Sequence, residues 1–200
     1  LKSISKASED EILALWTGLG FYRRAKNIFK TKEIIKNTFK NRFPKKFEEL
    51  ILLPGIGRST AGAIMSIAYN KSYPILDANV KRVISRYENI DIEQKNAVKS
   101  LWELSETYTP SQNIFEYTQG IMDLGATIFH LRSPKCVICP LNFSCKGAFK
   151  DFETVKKIKK QKLTKKINFT LAHSNKSFLL FKKNEQSFWE SLWTPYDNQH

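Results

Sequence analysis

The chain has 200 residues, enough for one domain with a sizeable core plus an appendage, and 42% of them are hydrophobic. No run of about 18 apolar residues occurs, which excludes a helical membrane span, and no signal peptide is visible. A formal net charge of +14 favours a polyanionic partner, nucleic acid first and an anionic membrane second, although 26 of the 33 basic residues are lysine and fit a biased genome equally well.

Ser8-Glu9-Asp10-Glu11 reads as a capping box before the apolar Ile12, Leu13, Leu15 and Trp16. That helix is expected to end near Gly18-Leu19-Gly20. A second helix is predicted from about Phe21 to Lys40, burying Ile28, Ile34, Ile35 and Phe39 and presenting Arg23, Arg24, Lys26, Lys30, Lys32 and Lys36 as a mostly solvated face. Pro44 breaks it. A short helix over Phe47 to Leu52 follows.

Next comes Leu53-Pro54-Gly55-Ile56-Gly57-Arg58-Ser59-Thr60-Ala61-Gly62-Ala63-Ile64, a turn with two glycines leading into a helix that reaches about Tyr69. Gly55 and Gly57 permit positive φ and close backbone approach, and Ser59 and Thr60 can serve the first-turn N–H groups. Free N–H groups at such a turn suit a nucleic-acid phosphate. A compact corner without a ligand has the same pattern.

Asp77 to Tyr87 reads as a helix with Val80, Val83 and Ile84 inward. Another is predicted from about Ile92 to Glu106 on Val98, Leu101, Trp102 and Leu104, and a long one from about Gln112 to His130. Cys136, Cys139 and Cys145 then lie in one loop, a pattern for a metal or cluster in a reducing compartment rather than for secreted disulfides. Residues 1–149 therefore read as an all-α domain. Residues 150–166 hold eight lysines and read as a basic linker. From Ile167 the period changes. Ile167, Phe169 and Leu171 alternate, Ser174-Asn175-Lys176-Ser177 makes a turn, and Phe178 to Phe181 returns as a hairpin.

The stretch from Leu53 to Ile64 resembles the helix–hairpin–helix motif of DNA glycosylases related to endonuclease III. Leu15-Trp16-Thr17-Gly18-Leu19-Gly20-Phe21-Tyr22-Arg23-Arg24-Ala25, Ile75-Leu76-Asp77-Ala78-Asn79-Val80-Lys81-Arg82-Val83, and Gln119 to Ala126 followed by C-x2-C-x5-C resemble segments of the adenine DNA glycosylase (MutY) family in that family's order. Phe188-Trp189-Glu190-Ser191-Leu192-Trp193-Thr194-Pro195 resembles the start of its Nudix-like C-terminal domain, so 167–200 is expected to open that domain. The chain starts at Leu1 and is expected to be truncated at both ends.

The resemblance implies a mainly α helix–hairpin–helix core with a cysteine-loop subdomain and a partial Nudix-like β segment. It implies a monomeric, cytoplasmic, nucleoid-associated bacterial enzyme, with no membrane partner. Its substrate would be duplex DNA carrying adenine opposite 8-oxoguanine or guanine. Gly55, Gly57, Arg58, Ser59, Thr60, Asn79, Arg23 and Arg24 would contact DNA. Asp77 would be the catalytic carboxylate. The helix start behind it favours its ionised form, which suits stabilisation of a sugar cation, although Asp before a helix is also an ordinary cap. Ser59 stands where endonuclease III-type enzymes carry a Schiff-base lysine, so hydrolysis without strand cutting is expected. The family's general acid is a Glu on a helix upstream of these segments, and nothing in the chain matches it. The family's 4Fe–4S cluster uses C-x6-C-x2-C-x5-C; Cys136, Cys139 and Cys145 match the last three positions and Phe129 stands at the first. Two alternatives stay open: a non-catalytic DNA-binding relic, and a glycosylase for G·T mismatches or oxidised pyrimidines.

Overall fold

The computed structural model describes residues 4–150, 166–184 and 189–197. Two compact units are present, Leu1–Val155 and Lys156–His200. The predicted linker falls almost wholly outside the described residues, as does Phe188.

The first unit is built from seven helices among the described residues. α1 (Glu9–Leu15) starts at the predicted capping box: Ser8 accepts from the Glu11 N–H, and Glu11 accepts from the Ser8 N–H. α2 (Arg23–Thr38) begins after Phe21, which sits at φ +47°, and stops before Lys40 and Asn41, also left-handed. Its basic face is not wholly solvated as expected. Lys26 and Lys32 are buried, and the Lys32 ammonium donates to the Ala7 carbonyl at 2.8 Å and lies 4.4 Å from the centre of the Phe29 ring.

α3 (Phe47–Leu50) is shorter than predicted, because residues 51–57 turn into α4 (Arg58–Tyr69). Leu50, Leu53, Ala61, Met65 and Ile35 form the core beneath this hairpin. α5 (Ala78–Tyr87) is capped by Asp77. α6 (Ala97–Tyr108) starts five residues later than the predicted Ile92, because the Glu93 N–H bonds the Asp91 carboxylate in a turn that bends the chain away from helix. Val98 is exposed and Ser105 buried, so the α6 face is rotated from the expected one. α7 (Ile114–Thr127) is shorter than predicted at both ends: Asn113 is left-handed, and the helix has ended before His130. Val80, Val83, Ile84, Leu101, Ile121 and Phe129 make the second core, between α5, α6 and α7.

Two glycines set how closely these helices approach. A Cβ on Gly62 would lie 2.5 Å from the Pro74 carbonyl oxygen, and one on Gly125 would lie 2.6 Å from the Asn79 Cβ. Both positions require the absence of a side chain. No helix among the described residues is long and apolar enough to cross a membrane.

The second unit is made of short antiparallel pairs. β2 (His173–Ser174) and β3 (Ser177–Phe178) form the predicted turn, with His173 opposite Phe178. The flanking runs do not simply extend that hairpin, as was expected. β1 (Phe169–Thr170) pairs with β6 (Tyr196–Asp197), and β4 (Phe181–Lys182) pairs with β5 (Trp193–Thr194). The buried Lys183 ammonium closes an ion pair with Asp197.

Candidate active site and nucleic-acid interface

The hairpin turn is pressed against α2. Thr31 donates to the Pro54 carbonyl at 3.1 Å, and Gly55 lies at φ +81°, where a Cβ would meet the Asn27 side chain at 2.7 Å. Gly57 differs from the expectation. Its φ is −88° and its ψ 177°, an extended cap that any residue adopts, and a Cβ there would meet nothing within 4 Å. Neither backbone conformation nor packing against the described residues calls for glycine at this exposed corner. No side chain caps α4 at Gly57, so its first-turn N–H groups are left for an external acceptor.

Ser59 is not the cap that its position suggested. Its hydroxyl accepts from the Leu76 N–H at 2.9 Å and so ties α4 to the segment that carries Asp77. Three further features hold the same segment. Ser66 donates to the Tyr73 carbonyl at 3.1 Å, the buried Ser105 donates to the Ile75 carbonyl at 2.8 Å, and the Gly62 surface admits the Pro74 carbonyl. The chain from Tyr73 to Leu76 is thus hydrogen-bonded into place without belonging to a sheet. Sequence reasoning missed Ser66 and Ser105, because an isolated Ser in an apolar helix pattern carries no sign of its partner.

Asp77 then caps α5: its Oδ1 accepts from the Val80 N–H at 2.8 Å. The other carboxylate oxygen has no hydrogen-bond partner among the described residues. Asn79 is held by Arg82, whose Nη2 reaches the Asn79 Oδ1 at 2.7 Å and the Gly125 carbonyl at 2.5 Å. The structure therefore ties Ser59 to the backbone before Asp77, while Asp77 and Asn79 share the first turn of α5.

The cations are less uniform. Arg23 is exposed at the start of α2. Arg24 stacks 5.2 Å from the Trp16 ring and lines, with Asn27, Pro54 and Gly55, a groove of about 360 Å³ beside the hairpin turn. Arg58 is engaged within the protein, 3.9 Å over the Trp102 ring and 2.5 Å from Glu106, with both members of the pair half exposed. Thr60 is exposed beside it. Glu11 is bound by the Ser8 backbone N–H and hydroxyl, which hold its carboxyl below the usual carboxylate value. It is therefore unsuited to general-acid work.

The cysteine loop does not fit a four-iron cluster. Phe129 stands at the fourth ligand position, 4% exposed, with its ring inside the core. The space it lines with Cys136, Cys139, Cys145, Arg86, Ile128 and Pro134 is a cavity of about 10 Å³, room for about one water. The Cys145 thiol donates to the Arg86 carbonyl at 3.6 Å, and burial pushes its pKa up. No three His, Cys, Asp or Glu side chains among the described residues are grouped to hold a metal ion. Lys146, at the end of the loop, is paired with Glu88.

Comparison with known proteins agrees with this geometry. Residues 1–107 match the family model described as HhH-GPD superfamily base excision DNA repair protein. An adenine DNA glycosylase of Buchnera aphidicola subsp. Acyrthosiphon pisum is 46% identical over 198 residues, which is 96% of this chain and 56% of that protein. The chain thus spans about half the length of such curated relatives. A human adenine DNA glycosylase is 34% identical over 150 residues, 74% of this chain and 28% of that one. A thermostable thymine-DNA glycosylase structure superposes with a TM-score of 0.63 at 31% identity, covering 74% of this chain and 69% of its own. With its matched hairpin and helical core, the chain belongs to the HhH-GPD superfamily of base excision DNA repair proteins.

Proposed function

We propose that the protein is an adenine DNA glycosylase that hydrolyses the N-glycosidic bond of adenine mispaired with 8-oxoguanine or guanine, and that this chain supplies its DNA grip and one catalytic carboxylate. The observation that carries the reading is the tie between hairpin and carboxylate. Ser59 stands in the helix that would seat a phosphate, and its hydroxyl fixes the backbone directly before Asp77. A phosphate held at Gly57 is therefore referenced to the carboxylate through one side chain.

In this mechanism the backbone at Gly55 and Gly57 and the first turn of α4 receive a phosphate. The adenine is turned out of the duplex, at a cost of a few kcal/mol for a mispaired base. The unbonded oxygen of Asp77 faces the positive charge that develops on the sugar as the base departs. Asn79, fixed by Arg82, holds the start of α5. Ser59 cannot form a Schiff base, so water completes the reaction and the strand stays intact. The leaving base is protonated by an acid other than Glu11. The strands of the second unit are read as the opening of a Nudix-like domain. The curated relatives named adenine DNA glycosylase support the adenine reading over thymine in a G·T mismatch.

The grip is tested by Gly57→Asp. Asp is a better helix cap than Gly, so thermal stability is expected to hold or rise slightly. Its carboxylate would repel a phosphate, and affinity for a duplex with adenine opposite 8-oxoguanine is expected to fall by about tenfold or more, with a shallower salt dependence. Unchanged affinity by fluorescence anisotropy would remove the phosphate from this corner.

A further inference from the structure

We propose that the cysteine loop, from Leu131 to Phe149, is held by protein contacts alone, with the C-terminal half of α5 as its clamp and no iron–sulfur cluster inside. This inference does not depend on which base is excised.

The entry to the loop is fixed by two arginines one helical turn apart on α5. Arg82 donates to the Gly125 carbonyl at 2.5 Å and to the Phe129 carbonyl; Arg86 donates to the carbonyls of His130 at 2.5 Å and Leu131 at 2.7 Å. A helix leaves its last carbonyls unsatisfied, and here guanidinium groups serve those at the end of α7 and the residues after it. Arg86 is 5% exposed. A cation so placed needs acceptors, and the planar fork of Arg reaches two at once where an ammonium would not.

The exit from the loop returns to the same place. The Lys146 N–H donates to the Tyr87 carbonyl at 2.9 Å, its ammonium pairs with Glu88, and Glu88 also accepts from the Tyr108 hydroxyl. The interior is apolar. Phe129 and Cys139 are members of the core with Val83, Ile84 and Leu101, and Leu141 packs against it. Cys139 thus serves as a small hydrophobe, and Cys136 accepts a hydrogen bond from the Phe149 N–H at 3.5 Å. Entry, exit and filling each have a protein partner.

The test is iron, zinc and acid-labile sulfide analysis of the chain purified without oxygen, with thermal unfolding measured before and after a strong chelator. The expected result is metal and sulfide far below one per chain and an unchanged midpoint. About four irons and four sulfides per chain, or one tightly bound zinc, with a lower midpoint after chelation, would overturn the proposal. In parallel, Arg86→Lys is expected to speed thiol-reagent labelling of Cys139 and Cys145 by about tenfold or more while helix content is retained. Labelling at the unaltered rate would show that α5 does not clamp the loop. The metal analysis uses the unaltered chain, so it decides even if the variant fails to fold.

Discussion

Asp77→Asn is expected to leave the fold intact and to reduce adenine excision on the order of 10²-fold or more. The two halves of this result have separate causes. Asn caps a helix about as well as Asp, and its carbonyl oxygen can take the same Val80 N–H that Oδ1 takes at 2.8 Å. Stability, read from thermal unfolding, should therefore shift little. The negative charge is gone, however, and an amide presents no ionised oxygen to the sugar cation. Binding to the mispaired duplex should persist, since the hairpin is untouched. Single-turnover rates and anisotropy on the same preparation separate these effects. A variant that unfolds would mean that Asp77 is chiefly structural.

Gly125→Ala is expected to cost about 1–3 kcal/mol or more of stability, among the largest effects of any single methyl in the chain. The added Cβ would stand 2.6 Å from the Asn79 Cβ and 2.8 Å from the Asn79 carbonyl oxygen. These atoms belong to the first turn of α5 and cannot swing aside as a long side chain would. Relief requires α5 and α7 to separate, which opens the core around Val80, Val83 and Ile121 and stretches the bond from Arg82 to the Gly125 carbonyl. Asp77 caps the same turn, so excision should fall along with stability. Gly120→Ala is the control. It lies in α7, exposed, with nothing within 4 Å of its would-be Cβ, and Ala there is expected to be neutral or stabilising by up to about 1 kcal/mol. Chemical denaturation of the two variants beside the unaltered chain checks the pair.

Much of this framework was legible in the residues. Ser8 with Glu11, the turn at Leu53–Gly57 and Asp77 before an apolar helical period each mark a boundary by local chemistry, and the structure uses each of them, whereas α2 ends at Thr38, before the left-handed Lys40 and Asn41 and short of the predicted breaker Pro44. What escaped depends on contacts distant in sequence. Lys26 and Lys32 read as solvated charges, and nothing in the spacing marked Arg82 or Arg86, because a helical period shows which side chains are apolar but not which cations find buried carbonyls. Gly57 looked like Gly55, yet only Gly55 uses a left-handed backbone. Ser59 looked like a cap, yet its partner lies 17 residues away. The start of α6 was lost to a turn at Asp91 that the apolar spacing conceals. In the second unit the flanking strand pairs join residues far apart, such as Phe169 with Asp197. At Phe129 a single letter carried much: an aromatic at a ligand position, and the structure fills the space with its ring.

The measurement that bears most directly on the central claim is single-turnover excision by the protein on a duplex with adenine opposite 8-oxoguanine, with a matched A·T duplex beside it and samples taken before and after alkali. The account predicts an abasic site at the mismatch only, with strand breaks appearing only after alkali and the product lost in Asp77→Asn. Full excision by Asp77→Asn, or strand cutting before alkali, would contradict it.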